Sequence, residues 1–280
     1  MFYILFAFLL PQRPLNWSCV SQGHPSASSD RVLERELAYY ENVYSTYGPE
    51  LFAKPGVVSF REYLARRIVR AAGIGAKSRV LSIGCGIGDT ELLLANHAAH
   101  VTGVDLSPAA IAEARRMAAI RKITNAEFAA GTWQTAEFEE KPFDAVVAIF
   151  FLHHLPDRDL AELPNQLARL LRPGGVFYGL DPSARRLSGF LGQLLVPKLM
   201  EKYQTEDERQ LLPRQTAAPF RAAGFETATR WFDFASTPLA GLFPAWAAGY
   251  RVARVLDEGL TRVPLLCELS SNFELIARRP

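Results

Sequence analysis

The sequence carries almost no excess of charge of either sign. Its 31 Lys and Arg stand against 29 Asp and Glu, a formal net charge of +2, and so weak a field excludes nucleic acid as the expected partner. Cysteine is scarce as well. Cys19, Cys85 and Cys267 are too widely spaced for a disulfide framework or a zinc ribbon, so a reducing, cytoplasmic setting is expected. The longest apolar run, MFYILFAFLL at residues 1–10, would span roughly 15 Å as a helix, about half a bilayer core. Pro11 and Pro14 follow at once and no basic residue precedes, so residues 1–29 read as a flexible extension rather than a membrane span or signal peptide.

Hydrophobic residues make up 49% and charged residues 21%, the balance of a chain that buries a core. Asp30 can cap a helix over residues 31–48, in which Tyr40, Tyr44 and Tyr47 recur at helical spacing. Ser59 and Glu62 have capping-box spacing before FREYLARRIVRAAG, a second amphipathic helix that stops near Gly73. Residues 30–75 are thus expected to form an N-terminal helical cover. From Arg79 the pattern changes to short apolar runs, RVLSI, HVTGV, AEFAA, FDAVVAIF and GVFYGL, with helical stretches after the first, second and fourth. Strand and helix in alternation imply a parallel sheet covered on both faces, with ligands at the carboxyl ends of its strands.

Beyond residue 182 the pattern is interrupted, at about 182–213 and 236–268. A helix is expected near Arg214 to Ala223, and TATRWFDFA and NFELIARR read as two final strands. The second insertion holds Leu239, Leu242, Phe243, Trp246, Tyr250, Val255 and Leu256 with Arg251, Arg254 and Arg262. It can be an extra core layer, a cover for an apolar acceptor, a homodimer contact or a peripheral membrane contact.

VLSIGCGIGD, residues 80–89, runs a strand into Gly84, Gly86 and Gly88 before a helix. Missing Cβ atoms there let backbone approach a ligand closely. A dinucleotide fingerprint would need glycine where Asp89 stands, and a carboxylate at a helix start repels pyrophosphate. Asp105 ends the second strand about 20 residues after Gly84, the separation at which a carboxylate takes the hydroxyls of a ribose. Ser107 then caps the next helix, with Pro108 in its first turn.

These segments resemble the class I S-adenosylmethionine-dependent methyltransferases. VLSIGCGIGD is similar to their first motif, VTGVDLSP to the acidic motif of the second strand, FDAVVAIFFLHHLPD to the fourth-strand segment and LLRPGGVFYGLDP to the fifth-strand turn. The resemblance implies an α/β fold, a Rossmann-like doubly wound sheet of seven mostly parallel strands with the last antiparallel, over residues 76–280, and S-adenosylmethionine as the cofactor. It implies that Gly84, Gly86 and Gly88 line the methionine and ribose, that Asp105 holds the ribose hydroxyls, that Leu106 packs on adenine and that Ile149 lies near the methionine. Two departures stand out. Ser82 occupies a position where many relatives are acidic, and GTWQ replaces a segment that often reads the adenine amino group, leaving Thr132, Trp133 or Gln134 for that task.

Methyl transfer needs in-line geometry and exclusion of water, with a general base where the acceptor is a hydroxyl. His153 and His154, just past the fourth strand, are the candidates for that base; Asp181 can orient the acceptor or simply form a turn. No metal is implied. The expected reaction is O- or C-methylation of a small, apolar, lipid-, quinone- or polyketide-like acceptor. The rivals are a non-catalytic cofactor-binding protein or subunit of a heteromeric enzyme, and a nicotinamide-dependent oxidoreductase.

Overall fold

The computed structural model describes residues 37, 41, 44, 48–134, 136, 138, 142–195 and 209–280. The expected extension 1–29, Tyr40 and Tyr47, and residues 196–208 of the first insertion lie outside them. Among the described residues seven strands form one sheet: β1 (Arg79–Ile83), β2 (His100–Asp105), β3 (Ala126–Ala130), β4 (Phe143–Ile149), β5 (Leu171–Pro182), β6 (Glu226–Asp233) and β7 (Asn272–Arg278). Their order is β3-β2-β1-β4-β5-β7-β6, with β7 antiparallel to both neighbours and the other pairs parallel. This is the seven-stranded, doubly wound α/β sheet that the sequence implied.

Residues alternate between the two faces as the pleat requires. Val80, Val147 and Tyr178 pack on one side, Leu81, Val146 and Phe177 on the other. The first side is covered by α2 (Pro55–Ala72), which follows the short α1 (Gly48–Phe52) and buries Val57, Phe60, Leu64 and Ile68 at helical spacing. Removing a buried aromatic ring of this kind costs about 3–5 kcal/mol, so Phe60 alone carries a large share of that helix's docking.

The structure corrects the start of α2. The helix begins at Pro55, and the Ser59–Glu62 spacing falls inside it. Proline is preorganised for the first helical position, and the first-turn N–H of Gly56 is satisfied by the Pro244 carbonyl at 2.6 Å, a partner nearly two hundred residues away in sequence. The stop is as expected: Gly73 takes the left-handed conformation, φ 66°.

The remaining helices are α3 (Glu91–Leu94), α4 (Pro108–Ile120), α5 (Asp157–Leu170), α6 (Leu187–Leu195), α7 (Pro213–Thr216), α8 (Ala218–Ala222), α9 (Ser236–Leu242) and α10 (Ala247–Leu260). The single helix expected at Arg214 to Ala223 is two short ones, because Pro219 has no N–H to continue the ladder. The second insertion divides by face. Tyr250, Ala253, Arg254 and Asp257 of α10 are buried, with Tyr250 edge-on to Phe60 and Arg254 over Tyr63 and Phe232, whereas Val252, Val255 and Leu256 are exposed. Half of that helix is the extra core layer; the other half is an outward apolar ridge.

Candidate active site

The strand order reverses between β1 and β4, the position at which open α/β sheets bind ligands. A cavity of about 430 Å³ opens there, within the range of small-molecule sites. The β1–α3 loop, the ends of β2 and β4 and the segment 149–156 line it, and Leu37, Tyr44 and Phe52 border it from the N-terminal side.

Gly84 adopts φ 68°, and a Cβ there would stand 2.3 Å from the Phe151 ring. Only glycine lets the loop turn beneath that ring. At Gly86 the corresponding space holds the Tyr44 hydroxyl. Gly88, at φ 72°, lies between the bordering residues Ile87 and Asp89 but not among the residues lining the cavity. Its absent Cβ faces Phe128 and Ala114, so this glycine serves close packing of the loop on β3 and α4. Gly84 and Gly86 nevertheless both border the cavity, so the loop presents its backbone to whatever occupies it.

Asp105 is tied directly to that loop. Its Oδ2 accepts the Gly86 N–H at 2.8 Å and its Oδ1 the Ser107 N–H at 2.9 Å, which leaves further lone pairs toward the cavity. Burial raises its pKa, and the two N–H donors oppose that rise. Ser107 caps α4 through Ala110 N–H as expected. Glu41, which no sequence signal marked, accepts from the Ser107 hydroxyl and from Ala109 N–H, tying this helical residue to the positive end of α4.

Leu106, Thr132, Trp133, Gln134, Ile149, His153 and His154 all border the same cavity. Trp133 serves two purposes: its ring meets Phe151 edge-on at 5.3 Å, while its Nε1–H is held by Gln166 at 2.9 Å. Phe150 departs from the expected strand and has φ 53°, an unusual conformation for a bulky residue; it ends β4 and delivers Phe151 over Gly84.

His153 and Asp181 form a buried pair. Nδ1 of the histidine lies 2.8 Å from Oδ1 of the aspartate, both side chains are almost fully enclosed, and His153 Nε2 has no hydrogen-bond partner among the described residues. Burial, with the nearby His154 and Arg186, pushes the His153 pKa down, and burial pushes Asp181 up to about 8. Sequence spacing did not reveal this pair because 28 residues separate its members; adjacency of β4 and β5 creates it.

A second buried carboxylate went unmarked in the sequence. Glu91, in the first turn of α3, accepts a 2.6 Å hydrogen bond from Ser82, and burial pushes its pKa up to about 7. Asp89, which argued against a dinucleotide, is paired with Arg61 of α2 at 2.7 Å.

Residues 80–175 match the model of a methyltransferase domain. Over 212 residues the chain is 30% identical to the ubiquinone biosynthesis O-methyltransferase of Xylella fastidiosa (strain 9a5c), a match covering 71% of this chain and 82% of that protein. It is 27% identical over 217 residues to the demethylmenaquinone methyltransferase of Geobacillus stearothermophilus, covering 70% and 87%. In fold it is similar to magnesium protoporphyrin IX methyltransferase from Synechocystis PCC 6803 with bound SAH, at a TM-score of 0.60 and 14% identity over 89% of this chain and 100% of that one. Kinship of this extent, in a chain whose sheet and glycine loop meet at the switch point, makes the protein a member of the class I S-adenosylmethionine-dependent methyltransferases acting on small molecules.

Proposed function

We propose that the acceptor is an apolar, quinol-like aromatic whose hydroxyl or ring carbon takes the methyl group, and that His153 is the base. The observation that carries this reading is the enclosed His153–Asp181 pair, whose unpartnered Nε2 belongs to a residue bordering a cavity walled by Phe52, Trp133, Phe150, Phe151 and Leu155. The two curated relatives named above, whose names refer to ubiquinone biosynthesis and demethylmenaquinone, support the same acceptor class.

When bound, S-adenosylmethionine supplies a methyl group already activated on a sulfonium and leaves as S-adenosylhomocysteine. The residues of the chain do the rest. The loop at Gly84 and Gly86 borders the cofactor's place, Asp105 accepts from the ribose hydroxyls, and Leu106, Thr132, Trp133 and Ile149 surround its remaining parts. The aromatic walls exclude water and hold the acceptor in line. Asp181 keeps Nδ1 of His153 as the donor nitrogen, so that Nε2 can take the acceptor proton. Residues 30–75 act as the cover of a catalytic unit at 76–280.

The outward ridge of Trp246, Val252, Val255 and Leu256, beside Arg251 and Arg262, suits contact with a membrane surface from which such an acceptor is drawn. Among the described residues no helix is long and apolar enough to cross a membrane.

The test is an acceptor panel. Purified protein with S-adenosylmethionine is offered catechol- and hydroquinone-type compounds bearing prenyl tails, alongside hydrophilic alcohols and amines, and methylated products are identified by mass spectrometry. Transfer confined to hydrophilic acceptors would remove the proposal.

A further inference from the structure

The cofactor reading leaves one charge unaccounted for. Glu91 is 2% exposed and borders the cavity beside Gly84 and Gly86. Its Oε1 is held by the Ser82 hydroxyl at 2.6 Å, but its Oε2 has no hydrogen-bond partner among the described residues. The cation whose charge reaches Glu91 is held elsewhere: Arg61 Nε pairs with Asp89 at 2.7 Å and Arg61 Nη1 donates to Thr90 Oγ1 at 3.3 Å. A carboxylate removed from water with a bare oxygen is costly unless a donor reaches it. In a cavity that admits a ligand, the donor can arrive with the ligand.

S-adenosylmethionine offers such a donor. Its sulfonium has no N–H or O–H, and its ribose hydroxyls belong with Asp105 on the β2 side of the glycine loop. The α-ammonium at the far end of its methionine tail carries three N–H donors and a full positive charge. We propose that Glu91 Oε2 receives this ammonium, with Ser82 acting as the positioning residue that holds the carboxylate toward it. The acidic group therefore stands at the start of α3 and is braced by β1, whereas the sequence directs attention to the end of β1 itself, where only a serine is found. The proposal rests on S-adenosylmethionine occupying this cavity, and the experiment separates the two.

Binding is measured by calorimetry on the full chain, with S-adenosylmethionine and with 5′-methylthioadenosine, which keeps the adenosine and the sulfur but lacks the amino-acid tail. Glu91→Gln is nearly isosteric. It is expected to weaken S-adenosylmethionine by roughly tenfold to a hundredfold, the scale of a hydrogen bond to a charged group, and to leave 5′-methylthioadenosine within about twofold. Ser82→Ala, which keeps the charge but loses its brace, is expected to weaken only the tailed ligand, and by less. The methylthioadenosine measurement also reports that the variant pocket is folded. Unchanged S-adenosylmethionine affinity in Glu91→Gln, or equal loss for both ligands, overturns the role of Glu91 while the cofactor site stands. Wild-type protein that binds neither ligand removes the cofactor reading and this inference together.

Discussion

Asp105→Asn separates the bracing of backbone N–H groups by this carboxylate from the ribose binding proposed for it. As found, Asp105 accepts the Gly86 N–H at 2.8 Å and the Ser107 N–H at 2.9 Å. Asparagine retains one acceptor oxygen and turns an amide toward one of these donors, so one backbone N–H loses its partner. A hydrogen bond to a charged acceptor contributes about 1.5–3 kcal/mol. Relief from burying the charge, the same effect that raises the Asp105 pKa, offsets part of the loss. The net cost to the unliganded fold is then about 1–2 kcal/mol, or a melting temperature lower by roughly 2–8 °C for a chain of this size. Cofactor binding suffers separately. The ribose hydroxyls would face a neutral amide, and a loss of about 1.5–3 kcal/mol multiplies Kd by roughly 10 to 150. Calorimetric titration with S-adenosylmethionine and S-adenosylhomocysteine, next to a thermal melt, reads both quantities. A variant that melts a few degrees lower yet binds both ligands within twofold of wild type would refute the assignment of Asp105 to the ribose.

The base role proposed for His153 makes methyl transfer depend on pH. Below about pH 8 the pair holds an extra proton and Nε2 of His153 is a donor; above it the Asp181 carboxylate takes the Nδ1–H and Nε2 becomes an acceptor. Single-turnover rates on a hydroxyl acceptor should therefore rise through about pH 8, and Asp181→Asn should lower the rate by roughly 10²–10⁴ with cofactor affinity unchanged; a flat profile from pH 6 to 9 contradicts the assignment. Arg67→Ala tests the clamp between α2 and the sheet. The guanidinium meets both oxygens of Glu274 at 2.5 Å, Glu274 is 0% exposed, and Tyr178 is its other partner. Leaving that buried carboxylate without its cation should cost about 3–5 kcal/mol in denaturant unfolding, and a loss under 1 kcal/mol would show that the pair contributes little.

All seven strands were legible in the sequence, the central ones because burial on both faces makes them short apolar runs, the edge strands β3 and β6, largely exposed, because they alternate with helices and turns around that core. The loop at 84–88 and the acid at 105 were legible for a related reason: glycine at a crowded turn and a carboxylate at a strand tip are local requirements. Misreadings arose where the deciding partner is remote. Ser59 and Glu62 have the spacing of a cap, yet the Pro244 carbonyl satisfies Gly56 and α2 starts earlier. At Gly88, too, a remote residue matters: the Phe128 ring of β3 occupies the space beside it. Glu41, Glu91 and the union of His153 with Asp181 left no pattern, since each depends on which elements lie side by side.

By itself, then, the chain's order of residues determined a parallel sheet with a glycine turn facing an acid, because periodicity and backbone freedom act over a few neighbouring positions. Only the tertiary structure decided which carboxylates are buried, which histidine has an aspartate behind it and which half of α10 faces outward. Those outcomes depend on desolvation and hydrogen-bond distance between segments far apart along the chain, and packing alone brings such segments together.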